Sequence, residues 1–455
     1  NSLPVHDASG KLQGTYTVQA NGDISFQPAP DFHGIPTPAR LRVRDKNGST
    51  AEAVYQPTVT QVIPTSTNAT STGPQGVPQT GTPTFAGGDQ AVPIDMDSPM
   101  TFEDGQPKKT VQGVGVYTIN SDGSITFTPE KQYVGTPRPV TVKRVDKNGT
   151  EVTATYTPTV TKVTPTSTNA TSTGPQGVPQ TGTPTFAGGD PLVPIDDSVE
   201  PTFADGSKEK TIPGQGTYTI APDGAVTFTP DKQFVGKPDP ITVKRVDKNG
   251  TPVTATYSPE FTKVVPTGTN ATSTGSQGVP QTGTPTFAGG DPLVPIDETV
   301  EPSFEDDSKE KTIPGQGTYT IAPDGAVTFT PEKEFVGKPY SVTVKRIDKN
   351  GTPVTATYSP EFTKVTPTGT NTTSTGPQGL PQTGTPTFAG GNPLVPIDET
   401  VEPSFEDGSK EKTIPGQGTY TIAPDGAVTF TPDKQFVGKP DPITVKRVDK
   451  NGTPV

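Results

Sequence analysis

Tyr117 and Ile119 fall on one side of the stretch Val116-Tyr117-Thr118-Ile119, and Ile125 and Phe127 alternate with threonines after Asn120-Ser121-Asp122-Gly123. A period of two belongs to a strand with one buried face, and Asp-Gly supplies a tight reversal, so the pattern predicts a β-hairpin. A second hairpin follows. Its arms are Val140-Thr141-Val142-Lys143-Arg144-Val145 and Val152-Thr153-Ala154-Thr155-Tyr156, joined through Asp146-Lys147-Asn148-Gly149. Phe85, Val92, Ile94 and Phe102 mark shorter strands upstream, and Val160 and Val163 close the last edge. No stretch shows helical periodicity. Six to eight short strands within residues 77–164 predict an all-β fold, a β-sandwich.

The same pattern returns along the chain. QGVPQTGTPTFAGGD begins at Gln75, Gln176 and Gln277, and returns at Gln378 with Leu380 and Asn392 as its only changes. Asp-Lys-Asn-Gly recurs at Asp45, Asp146, Asp247, Asp348 and Asp449, so the step is 101 residues. A period this long is a whole small domain, and the chain reads as a tandem array of beads. The expected division is a partial repeat over 1–63, repeats over 77–164, 178–265 and 279–366, and a partial repeat over 380–455. Linkers over 64–76, 165–177, 266–278 and 367–379 separate them. These linkers are rich in Pro, Thr and Ser with no large apolar residue, and they predict extended, polar connections that cannot pack a core. Because the sequence opens and closes within a repeat, both ends are expected to be cuts from a longer polymer.

Composition narrows the picture. Only 27% of the 455 residues are hydrophobic, and 50 glycines and 56 prolines approach the range of disordered chains, so the cores must be lean. There is no cysteine, which excludes disulfide scaffolds and thiolate metal sites. A net charge of −12, spread along the repeats, disfavours nucleic acid and anionic membranes as partners. No apolar run approaches the ~20 residues of a membrane helix.

Four signatures in fixed order carry a family resemblance. In the third bead they are Val178-Pro179-Gln180-Thr181-Gly182-Thr183-Pro184-Thr185-Phe186, Thr217-Tyr218-Thr219-Ile220, Thr227-Phe228-Thr229-Pro230 and Val246-Asp247-Lys248-Asn249-Gly250. With them the chain resembles the CshA-type fibril repeats of streptococcal surface adhesins, and the resemblance covers every bead. It implies an extracellular adhesin anchored to the wall of a Gram-positive coccus, with a non-repetitive N-terminal region that binds host ligands and repeats that form the fibril. The ligand-binding residues of that family have no counterpart here.

Leu380-Pro381-Gln382-Thr383-Gly384 matches the sortase pattern Leu-Pro-x-Thr-Gly, but neither an apolar segment nor a basic tail follows, so it reads as drift within a repeat. The acidic stretches Asp196-Asp197-Ser198-Val199-Glu200 and Glu305-Asp306-Asp307 lack the ligand ladder of a calcium loop, and read as solvated surface. Lys143, Lys244, Lys345 and Lys446 are the best placed for an internal Lys–Asn or Lys–Asp cross-link, but Arg42 occupies that position in the first bead. The turn lysine common to all beads should be exposed. His6 and His33 are too isolated for a metal site. The sequons at Asn68, Asn169 and Asn270 and the Thr-rich segments are candidate sugar acceptors. The shared aromatics Tyr218, Phe228 and Phe234 read as core. No catalytic, cofactor-binding or metal residue is expected.

Two functions fit near-identical beads. The first is a structural stalk that projects an adhesive head from the cell wall, for adhesion and biofilm formation. Its partner would be a host surface or matrix protein, met through the missing N-terminal head. In the second, the beads are weak modules whose tandem copies give avidity for host matrix or other bacteria, or that self-associate laterally. An enzyme, which needs one specialised site, has no support.

Overall fold

The computed structural model describes all 455 residues and contains strands and no helix. The third bead serves for all. Its strands are β1 (Thr166–Thr168), β2 (Ala170–Pro175), β3 (Gln180–Gly182), β4 (Thr185–Ala187), β5 (Thr202–Phe203), β6 (Glu209–Ile212), β7 (Gly216–Ile220), β8 (Val226–Pro230), β9 (Ile241–Val246) and β10 (Pro252–Thr262). They form two four-stranded sheets, ordered β2-β10-β9-β5 and β3-β8-β7-β6, and a small β1-β4 ribbon.

Both hairpins form where the alternation places them. In the second bead Tyr117 pairs with Phe127, and Val140 with Tyr156. Phe85 and Phe102 lie in short strands, whereas Val92 and Ile94 make only isolated bridges. Residues 77–164 hold eight strands.

The inward residues of the two sheets meet in one core. In the third bead it comprises Phe203, Tyr218, Ile220, Val226, Phe228, Ile241, Val243, Tyr257 and Phe261, with Phe234 packed against it. Aromatic rings fill most of this volume. Tyr218 lies 4.4 Å from Phe228, and Phe228 lies 5.6 Å from Phe261, between ring centroids. Large rings let so few apolar residues close a sandwich, because each buries 150–250 Å². Gly182 lets β3 close over this core, since a methyl there would lie 2.3 Å from the Tyr257 ring.

The Pro/Thr-rich segment predicted as a linker is instead two strands of the bead that follows it. Residues 165–177 contain β1 and β2, and β2 pairs in parallel with the far end of β10, from Ala170↔Tyr257 to Pro175↔Thr262. The same pairing joins Ala69–Pro74 to Glu151–Thr161, and Ala271–Ser276 to Pro353–Thr363. The polarity that argued against a core does not argue against an edge strand, whose backbone groups and hydroxyls find partners across the ladder. Only four residues, 263–266, separate β10 from the first strand of the next bead. Val264 among them is buried, and its N–H donates to the Gln176 side chain at 3.3 Å. Proline fits in β10 for the same topological reason. Pro259 lies beyond Tyr257, where β10 has left β9 and has not yet reached its Phe261–Gly236 bridge, so that Pro259 pairs only with Ser172 of β2.

Candidate functional site

The strand pair that opens and closes each bead is where the structure concentrates specific polar contacts. Along residues 165–177, four side chains reach strand β10 or the residues just past it. Ser167 Oγ donates to the Thr254 carbonyl at 2.6 Å. Asn169 Oδ1 accepts from the Thr256 N–H at 2.8 Å. Ser172 Oγ and the Tyr257 hydroxyl lie 2.7 Å apart. Gln176, buried, accepts from Val264 and donates to the Lys232 carbonyl at 3.0 Å. The Asn, Ser–Tyr and Gln contacts recur in the second and fourth beads. Sequence reasoning missed this set because its bonds span 56 to 88 residues. Its legible trace was the Asn-x-x-Ser-x-x-x-Gln spacing, kept from bead to bead in a segment otherwise free of large side chains.

The pair also has a direction. The chain passes through the short β1 into the start of β2 and leaves at the end of β10, and β2 and β10 run the same way. Tension along the chain pulls the start of one and the end of the other in opposite senses. It therefore loads the ladder in shear, with the interstrand bonds sharing the load instead of opening one at a time.

The residues singled out for chemistry fall as follows. Gln382–Gly384 of the sortase-like segment is a strand, with Thr383 paired to Thr429, so the bond a sortase would cut is held in a sheet. Asp247 Oδ1 accepts from the N–H groups of Asn249 and Thr251 at 2.9 and 2.8 Å, the local bonding of a hairpin turn. The acidic stretch at 196–200 faces cations of its own bead: Lys248 Nζ lies 2.7 Å from Asp196, and Arg245 2.8 Å from Asp197. The turn lysine is exposed, as expected, and Lys248 is ion-paired as well. Lys143 reaches Glu151 at 3.5 Å across the hairpin, as Arg42 reaches Glu52 at 2.6 Å in the first bead, and Lys345 lies 2.5 Å from Asp307. His6 and His33 are exposed, and neither belongs to a group of three or more His, Asp or Glu side chains that could hold a metal. Tyr218 and Phe228 are fully buried and Phe234 packs against them, in keeping with their reading as core.

The Lys248 ammonium, with the Ser198 hydroxyl and N–H, holds the Asp196 carboxyl down at about 2. Asp297 is held at about 2 by Lys349 and Thr299 in the same way. A carboxylate whose folded value lies below its unfolded value of about 3.9 favours the folded state above that pH. The contribution is lost as pH falls from about 4 towards 2. With Lys248→Ala, one carboxyl should move from about 2 back towards 4 in a ¹³C-detected NMR titration of the chain. An unmoved titration would show that the ion pair does not form.

Tandem β-sandwich beads without disulfides, in which the first long strand pairs with the last, define a repeat protein built as a string of small domains. The family described as the surface adhesin CshA repetitive domain matches residues 1–59, 61–160, 162–261, 263–362 and 364–455, and the chain belongs to that family. The NMR structure of repeat domain 13 of the fibrillar adhesin CshA from Streptococcus gordonii is 92% identical, covering 16% of this chain and 96% of that one, with a TM-score of 0.11. Mouse cadherin-23 EC22–24 is 12% identical, covering 67% of this chain and 100% of that one, with a TM-score of 0.29. Protocadherin gamma B2 domains 1–5 is 11% identical, covering 80% and 77%, with a TM-score of 0.30. No curated protein matches. As repeats of a surface adhesin, the beads lie on the extracellular surface.

Proposed function

We propose that the array is the stalk of a wall-anchored fibril, which carries a binding head away from the cell and bears the tension when that head is attached. The head, outside this chain, would meet a host surface or matrix protein and support adhesion and biofilm growth. The observation that carries this reading is the parallel β2–β10 ladder, which puts every complete bead under shear when the chain is pulled. A second property suits a stalk that works singly. The exposed edge β6 is four residues long and carries Glu209 and Lys210, the kind of short, charged edge that resists pairing with another sheet.

Pulling the whole chain by its ends in a force spectrometer tests the proposal. Stepwise ruptures are expected, each releasing about one bead of chain at roughly 3.3–3.6 Å per residue. Ser172→Pro should lower one rupture force and leave the others. A featureless elastic extension would remove the load-bearing reading. In parallel, the chain coated on particles should not bind matrix proteins or epithelial cells. Saturable binding would make the beads themselves the adhesive and point to Leu192, Leu293 and Leu394, exposed at one position in three successive beads.

A further inference from the structure

Consecutive beads touch through one recurring arrangement. Between the second and third beads, Asn249 Nδ2 donates to the Gln75 carbonyl at 2.8 Å, and Gln132 Nε2 donates to the Asn249 carbonyl at 2.7 Å. Between the third and fourth, Asn350 and Gln176 repeat the first bond at 2.8 Å, and Gln233 and Asn350 the second at 2.7 Å. Between the fourth and fifth, Asn451 donates to the Gln277 carbonyl at 2.9 Å. The asparagine is always that of the Asp-Lys-Asn-Gly turn, and its seat is always the Gln-Gly corner that ends the parallel strand of the preceding bead.

The seat is shaped for it. A methyl on Gly76, Gly177 or Gly278 would lie 1.9, 1.8 and 1.8 Å from the oxygen of Asn249, Asn350 and Asn451. Gly379 adopts the same positive φ in the fifth bead, which no bead follows here, and a methyl there meets nothing within 4 Å. Burial follows the same rule. Asn249, Asn350 and Asn451 are buried, whereas Asn148 and Asn47, which have no such seat in this chain, are half-buried and exposed.

Three departures from the repeat, Glu334, Ser276 and Asn392, fall on one joint, and the loss made by the first is offset by the other two. At the fourth–fifth joint the glutamine donor is replaced by Glu334, which as a carboxylate cannot donate to the Asn451 carbonyl. At the same joint Asn392 Nδ2 donates to Ser276 Oγ at 2.7 Å. The other two joints place Asp190 with Pro74 and Asp291 with Pro175 at these positions, where proline has no donor and no hydroxyl. One bond is lost and another appears, through changes in two different beads.

We infer that the Asp-Lys-Asn-Gly turn is a docking peg for the preceding bead, so that neighbouring beads form a registered joint and the array is a coupled series. The partner is another copy of the same bead, and the recognition is amide to backbone carbonyl over a glycine. Such nearest-neighbour interfaces make a repeat array cooperative along its length.

The chain has no cysteine, so spin labels can be placed at will. Glu209→Cys and Glu310→Cys put labels on equivalent exposed edge strands of the third and fourth beads, and pulsed EPR reads the distance between them in the full chain. A single narrow distribution is expected. Asn350→Ala with Gln233→Ala should broaden it, since each hydrogen bond lost lowers the docked-to-undocked ratio about fivefold. Amide exchange within both beads should be unchanged, which separates undocking from unfolding. Labels at Glu310→Cys and Glu411→Cys should report a narrower distribution when Glu334→Gln restores the missing donor. A distribution already broad in the unsubstituted chain, or one that neither change moves, overturns the joint.

Discussion

Replacing residues 165–177 with a Gly/Ser segment of equal length should unfold the third bead while the fourth stays folded. A true linker would tolerate the exchange, because tether composition alters reach and stiffness without touching a core. Here the exchange removes the side-chain contacts of Ser167, Asn169, Ser172 and Gln176, and weakens a strand paired over six residues. At about 1 kcal/mol net for each hydrogen bond, the five bonds of these four side chains contribute about 5 kcal/mol. A small domain has only about 5–15 kcal/mol in total. Hydrogen exchange with mass spectrometry resolves the outcome. Amides of β9 and β10 should lose protection, and the equivalent amides at 342–363 provide an internal reference. Equal protection in both beads would mean that the segment is only a tether.

The second large effect is expected at Phe228. Its ring is fully buried and makes aromatic contacts with Tyr218, Phe261 and Phe234 at 4.4, 5.6 and 6.4 Å. Phe228→Ala removes the ring at the meeting point of both sheets, and such truncations cost about 3–5 kcal/mol. With only nine buried residues in this core, little surrounds the cavity that could collapse into it. Limited proteolysis of the full chain should then cut within residues 178–265 first, at a protease concentration that leaves the unsubstituted chain intact. Phe329→Ala should move the cut to the fourth bead. Resistance equal to that of the parent chain would mean that the aromatic cluster does not set the stability of the bead.

The hairpins were readable because their causes are local. Tyr117, Phe127, Val140 and Tyr156 show their faces by a period of two, and Asp-Gly and Asn-Gly mark the reversals between arms a few residues apart. The core assignment of Tyr218 and Phe228 followed from the same alternation. The Thr-rich strand had no such signature. Its side chains are small and polar on both faces, and what makes it a strand is a partner about 87 residues away. The fifth bead demonstrates the point within this chain. Residues 371–377 carry nearly the same sequence as Ala170–Pro175 and its flank, but no strand pairs with them, and they are irregular and exposed. The turn asparagine is a parallel case. Asp247 explains the turn by itself, so nothing local showed that Asn249 also reaches the bead before it.

By itself the sequence determined the number and spacing of the beads, their all-β character, their two hairpins and the rings that fill their cores, since periodicity and turn chemistry act between near neighbours. The tertiary structure decided where each bead begins, that its first long strand is locked in parallel to its last, and that its turn docks on its predecessor. Those features depend on backbone carbonyls and small hydroxyls meeting across about 90 to 170 residues. Such groups carry no hydrophobic pattern, so their partners appear only once the chain is folded.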